Sequence, residues 1–290
     1  TRMFDNSDYF LIAGGTGPKG EAAKSWEIWH PVDGSLTQGP LSGSRFNHCA
    51  VRVPDATGGY IMLIGGEDGS GALNNFEVIR YDDKGNVAYK GNKTITCSVG
   101  ASHAKNGDCD ALKGQPGYRD TSWEPIVQPL AGNAARTLPG CAYVPHPGPG
   151  GKFYVYMIGG FEDAKKTKPM DRIDVFNLLG GGWVEHKLKL NAARGAPQIG
   201  VSSVGPRAGQ ILISGGLGAD GQTVATGEVV YLPSTGALDR RNVEGTIPGG
   251  GRVGGAAVGL VTGHVLVVGG VTVSDKGLAY QGKLSLWSPL

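Results

Sequence analysis

A chain of 290 residues with 51 glycines and 17 prolines, 40% hydrophobic, has the composition of a turn-rich all-β domain and not that of a disordered polymer. The formal net charge is only +2, and no basic cluster alternates with aromatics, which speaks against a nucleic-acid surface. The longest apolar stretch, around 255–270, is broken by glycine and His264 and is too short to span a bilayer, so no membrane span is expected.

In chain order, Thr1-Arg2-Met3-Phe4 precedes FLIAGG, an apolar run that stops on Gly14-Gly15. Continuous apolarity predicts a strand buried on both faces, and a glycine pair suits a strand end that turns sharply where another chain segment comes close. The loop TGPKGEAAKSW leads to WEIWHPVDGSL (26–36), a second strand ending at the Asp33-Gly34 turn before an outer strand. The pattern then restarts with SRFNHCAV (44–51), small residues behind Arg45, followed by IMLIGG ending at Gly65-Gly66 and FEVIRYDDKGNV (76–87), whose turn Lys84-Gly85 leaves Asn86-Val87 to begin the outer strand. ARTLPGCAYV (135–144), VYMIGG ending at Gly159-Gly160 and IDVFNLLGGGWV (173–184) form the third unit. ARGAPQIGV (193–201), ILISGG ending at Gly215-Gly216 and GEVVYLPSTGAL (227–238) form the fourth. GRVGGAAVGL (251–260), VLVVGG ending at Gly269-Gly270 and LSLWSPL (284–290) form the fifth.

The second glycines, at 15, 66, 160, 216 and 270, lie 51, 94, 56 and 54 residues apart. A unit of about 50 residues with one double glycine resembles the kelch repeat. Glu27, Glu77, Asp174 and Glu228 fall in one register, as do Ile28, Val78, Val175, Val229 and Leu286. Trp183 stands where kelch repeats often carry tryptophan after the third strand. The resemblance implies an all-β, kelch-type β-propeller over 1–290 as a single domain, with five visible four-stranded blades. LSLWSPL matches a third strand, so the ring is expected either to borrow a strand or to continue to six blades or more.

The 94-residue interval predicts an inter-blade insertion over 88–134. It holds Cys97, Cys109 and the sequon Asn92-Lys93-Thr94. Two cysteines in a polar loop read as a staple, and with a glycosylation acceptor at Asn92 they point to an extracellular or secreted protein. Cys49 and Cys141 occupy nearly equivalent places on the innermost strands of neighbouring blades, where free cysteine acts as a small buried hydrophobe, and that is the default reading; a bridge between them is the open alternative and requires Cα atoms within about 7 Å.

Strands that alternate in direction put the long second-to-third-strand loops on one face, the usual carriers of binding, and the insertion is assigned to that face too. Arg45, Arg136, Arg194 and Arg252 open the innermost strands there. Two readings stand side by side: a ring of guanidinium groups for an anionic ligand, or a structural role in every repeat, satisfying carbonyls and pairing with acids. Kelch-like copper-radical oxidases share the propeller, but the six histidines, at 30, 48, 103, 146, 186 and 264, are scattered. No hydrolase, zinc or phosphate motif occurs, so no catalytic residue, metal or cofactor is assigned. The expectation is a binding or assembly module for a protein or glycan partner, perforce without a named ligand. A carbohydrate-active enzyme (sugar oxidase or epimerase) and a structural subunit that self-assembles into a surface fibre or matrix are the alternatives.

Overall fold

The computed structural model describes residues 9–55, 58–82, 87, 96–99, 102–105, 118–121, 126–146, 152–178, 181–184, 189–202, 204, 208–231, 239–246 and 251–288. Cys109 and the Asn92 sequon lie outside them, as does the side chain of Cys97, so the expected staple and acceptor have no structural description. The described residues are all-β apart from one 3-10 turn (Ala131–Asn133), and no helix among them is long and apolar enough to cross a membrane.

The first sheet contains β1 (Phe10–Ala13), β2 (Ser25–His30) and β3 (Ser35–Pro40). In the second, β4 (Cys49–Asp55), β5 (Gly58–Ile64) and β6 (Asn75–Asp82) follow in order. The chain then forms a separate three-stranded sheet from β7 (Thr96–Val99), β8 (Ser102–Lys105) and β9 (Tyr118–Thr121), before β10 (Ile126–Pro129) returns to pair with β6. The third sheet runs β11 (Gly140–His146), β12 (Lys152–Ile158), β13 (Ile173–Asn177), β14 (Gly182–Val184). The fourth runs β15 (Gln198–Val201), β16 (Ile211–Ser214), β17 (Thr226–Tyr231), β18 (Asp239–Thr246). The last joins β19 (Ala256–Gly259) and β20 (Val265–Val268) to β23 (Leu284–Trp287), with a hairpin of β21 (Val271–Ser274) and β22 (Gly277–Tyr280) between them. All pairings in these sheets are antiparallel.

The double-glycine strands β1, β5, β12, β16 and β20 are the second strands of this pattern, and in β5, β12 and β16 the apolar runs are buried on both faces because their sheets pack between neighbours in sequence. Leu11, Trp26 and Ile28 meet Ile61, Leu63 and Ile79 of the second sheet. Met62, Ile64 and Phe76, on its other side, meet Val155, Met157 and Phe176. Tyr154, Tyr156 and Ile158 meet Ile211 and Ile213, and Leu212 meets Val265 and Val267. Period-two alternation along one strand thus feeds two different interfaces. Trp183 packs edge-on to Phe76 and Phe176, with ring centroids 6.1 and 5.2 Å away, and its indole N–H donates to the Pro129 carbonyl at 3.2 Å.

Two expectations need correction. The outer strand of the second sheet is Ile126–Pro129, four residues in register with β6, whereas Val87 makes only an isolated bridge to Tyr81. The inserted segment therefore lies within one sheet, between its third and fourth strands, and not between two sheets. Loop-closure entropy rises only slowly with length, so a longer ladder can outcompete a nearer one. Second, Cys49 and Cys141 are not free thiols: they form a disulfide with Cα atoms 6.0 Å apart. Small residues on the first strands let β4 and β11 approach each other within bonding reach. Because the bridge spans 92 residues of sequence, replacing either cysteine by serine is expected to lower unfolding stability by about 2–5 kcal/mol. Alkylation of unfolded, unreduced protein should leave both unmodified; free thiols at both positions would refute the bond.

Candidate functional site

The glycine pairs and the arginines, which look like separate signals in sequence, meet at the sheet-to-sheet junctions. The Arg45 carbonyl accepts from Gly15 N–H of the preceding sheet at 2.9 Å, Arg136 from Gly66 at 2.8 Å, Arg194 from Gly160 at 2.9 Å and Arg252 from Gly216 at 3.0 Å. The first glycine of each pair lies beneath that same carbonyl: a Cβ on Gly14, Gly65, Gly159 or Gly215 would collide with the arginine oxygen. Their φ angles, 61, 63, 59 and 61°, are also left-handed, so glycine is required both by backbone conformation and by close approach.

Each arginine side chain turns back into its own sheet. Arg45 donates to the Gly65 carbonyl (3.1 Å), Asn75 Oδ1 (3.0 Å) and Glu77 (3.3 Å). Arg136 reaches Asp174 at 2.6 Å, and Arg172 donates to the other oxygen of that carboxylate at 2.7 Å. Arg194 bonds the Gly215 and Thr226 carbonyls at 3.1 and 2.8 Å and Glu228 at 2.8 Å. Arg252 bonds the Lys283 carbonyl at 2.9 Å and Ser285 Oγ at 3.0 Å, serine standing in the register held elsewhere by the acids. The carboxylates also take backbone N–H bonds from the connection entering the first strand: Glu77 from Ser42 at 2.8 Å, Glu228 from Asn191 at 2.8 Å. The four guanidinium groups are 0–2% exposed. Burial lowers the pKa of Arg45, Arg136 (to about 10) and Arg194, with the paired acid opposing it.

Of the two readings of this arginine set, the geometry supports the structural one. Their donors are directed into the sheets, and the surface they were expected to furnish belongs instead to the loops above them. Because successive glycine pairs meet successive arginines at the same end of the stack, the five loops that follow the pairs all emerge there. Four are held by their own carboxylates: Glu21 accepts from Lys19 N–H (3.0 Å), Asp68 from Ser70 N–H (2.9 Å) and Oγ (2.6 Å), Asp163 from Thr167 N–H (3.1 Å) and Oγ1 (2.9 Å), and Asp220 from Gln222 N–H (3.0 Å). Glu67, buried beside Gly66, accepts from Asn47 Nδ2 at 2.6 Å, Thr137 Oγ1 at 2.9 Å and Lys166 Nζ at 3.1 Å. Burial raises its pKa, but these three bonds outweigh that effect and hold it below the ordinary value. Lys166 thereby ties the 161–169 loop to the second sheet. The last loop is the hairpin β21–β22, which leaves Leu278 and Tyr280 exposed. The connection from β6 to β10 leaves and returns at the opposite end of its sheet, away from Gly65-Gly66. Sequence reasoning missed Glu67, Lys166 and the hairpin, since none recurs from repeat to repeat. Among the described residues no group of three or more His, Cys, Asp or Glu is placed to hold a metal ion.

No protein-family model matches the chain, and no curated protein does. Among solved structures 151 chains match. One, titled "Structure of YjhT", superposes with a TM-score of 0.55 at 13% identity, covering 98% of this chain and 79% of that one. At that identity the likeness concerns the fold alone.

Two predictions follow from the buried polar groups. Arg194→Leu should cost about 3–5 kcal/mol by stranding Glu228, and the double substitution with Glu228→Leu should recover much of it in a double-mutant cycle of chemical denaturation. His48, buried beside Arg45, has its pKa pushed down to about 4, by burial first and by the arginine charge second. The unfolded chain therefore takes up this proton near pH 6.5 while the folded one does not, so stability is full above pH 6.5 and falls as pH drops toward 4. We expect a loss of about 2 kcal/mol between pH 7.5 and 5 that His48→Gln removes; an unchanged slope in the variant would disprove it.

Proposed function

We propose that this chain is a kelch-type β-propeller that works outside the cell as a binding or assembly module, presenting a protein or glycan partner with the face formed by its five post-glycine loops. The observation that carries this reading is the Gly–Gly/arginine junction, repeated four times, which brings the loops that follow the first four pairs out at one end of the stack, with the hairpin after the fifth pair in the equivalent place. Loops closed by their own carboxylates lose little entropy on binding, and function on such scaffolds is found in loops. The face is chemically mixed. Lys165 and Lys168 stand exposed on the third loop, and Tyr280 offers an aromatic surface on the last, a combination suited to sugars or to an acidic protein surface. The Cys49–Cys141 bond is the natural product of an oxidising compartment and supports the extracellular assignment. The arginine ring is left out of the binding role, since its side chains are buried and bonded to groups of their own sheets.

The test is a binding screen of the purified chain on panels of neutral, sialylated and sulfated glycans and of extracellular proteins. Tyr280→Ala and the pair Lys165→Glu/Lys168→Glu should weaken binding by about tenfold with unchanged melting temperature, whereas Val32→Ser, away from these loops, should do neither. Turnover of a sugar with bound metal in stoichiometric amount would move the assignment to the carbohydrate-active alternative. Regular self-assembly without ligand binding would favour the fibre subunit.

A further inference from the structure

The third sheet departs from the arginine arrangement that the others share. In the second, fourth and last sheets the Nη1 end of the buried guanidinium donates to carbonyls of its own sheet: Arg45 to Gly65 at 3.1 Å, Arg194 to Gly215 at 3.1 Å and Thr226 at 2.8 Å, Arg252 to Lys283 at 2.9 Å. Among the described residues the Arg136 side chain donates only from Nη2, to Asp174 Oδ2 at 2.6 Å. Its Nε and Nη1 are buried without a partner, in a side chain that is 0% exposed. Arg45 also has an unpaired Nε, so the unpaired Nη1 is what sets Arg136 apart.

Two changes within the repeat accompany this. The acid of the third sheet is Asp174, one methylene shorter than Glu77 or Glu228. The residue two places before the acid is Asn75 in the second sheet and Thr226 in the fourth, whose oxygens accept from the arginine at 3.0 and 2.8 Å. In the third sheet that residue is Arg172, whose side chain has donors and no acceptor. Arg172 donates to Asp174 Oδ1 at 2.7 Å, so two cations share a single carboxylate. Burial lowers the Arg136 pKa, Asp174 opposes that fall and the Arg172 charge adds to it. Glu162 acts in the same sense as Asp174, but it is exposed on the loop side, where solvent screens it.

The place therefore combines a surplus of positive charge with a buried nitrogen that has hydrogens to donate. Such surroundings oppose a cation and favour an acceptor that carries negative charge. Burial limits the occupant to a few atoms, and a neutral water would satisfy the hydrogens while leaving the charge uncompensated. We propose that Arg136 Nη1 is the binding site of a small inorganic anion of chloride size, bonded by Arg136 and balanced by the charge of Arg172. The ion completes the arginine cluster of the third sheet as the Gly65 and Gly215 carbonyls complete those of its neighbours. Arg172, with a side chain 35% exposed, is the solvent-facing member of the pair. The ion is a structural ligand, so its binding is independent of what the loops hold.

The test melts the 290-residue chain over a range of sodium chloride concentrations, with sodium gluconate holding the ionic strength constant, since gluconate is too large for the place. The melting temperature should rise by about 2–4 °C for each tenfold increase in chloride above half-saturation, and bromide should act likewise. Asp174→Glu restores the acid of the other sheets and Arg172→Asn restores the acceptor; each should flatten the chloride dependence, and the second serves if the first disturbs folding. In crystals of the parent grown with sodium bromide, an anomalous peak should stand within hydrogen-bond reach of Arg136 Nη1. A melting temperature indifferent to chloride, a dependence that both variants retain, or a water at Nη1 without bromide signal overturns the proposal.

Discussion

The rest of the structure depends on one backbone hydrogen bond, from the second glycine of each of the first four pairs to the carbonyl of the arginine that opens the next sheet. It is made possible by the absence of a side chain on the first glycine, and it fixes where consecutive sheets meet. The arginine has a double attachment: its main chain holds the previous sheet and its guanidinium holds its own. A buried cation is tolerated at such a place when it is paired with an acid, which is why Glu77, Asp174 and Glu228 lie in a single register across from it. In the last sheet Ser285 occupies that register and backbone carbonyls take a larger share of the donors.

From this junction follows the division of labour within each unit. Inner strands carry small residues, since they crowd together near the Gly–Gly ends, and there the Cys49–Cys141 bond crosses from the second sheet to the third. The second strands of the three middle sheets are buried on both sides because each lies between two neighbours. The loops beyond the glycines are left free of packing duties and vary in length and chemistry, so any binding specificity is concentrated in them. Glu67 and Lys166 form the exception, a buried acid and a loop lysine that bind one such loop to the adjacent sheet.

Much of the architecture was legible because it repeats. The glycine pairs, the arginine positions, the acidic register and the third-strand boundaries were all readable as a pattern, and the described sheets follow them in order. What did not repeat was misjudged. The outer strand of the second sheet was placed at 86–87 by analogy with the other units, and the long excursion through β7–β9 before β10 returns has no counterpart elsewhere in the chain. The role of the arginines was open for a different reason: a regular charge can face a ligand or an internal partner equally well, and only the direction of the side chain distinguishes the two.

The amino-acid sequence alone determined that units of about fifty residues follow one another, each with a doubly buried strand ending on two glycines, because periodicity and backbone permissiveness are local properties. Only the tertiary structure decided that Cys49 reaches Cys141, that the four arginines turn inward, and that the insertion leaves from the end opposite the loops. Those outcomes depend on distances between segments far apart in the chain, and no local preference of a residue encodes them.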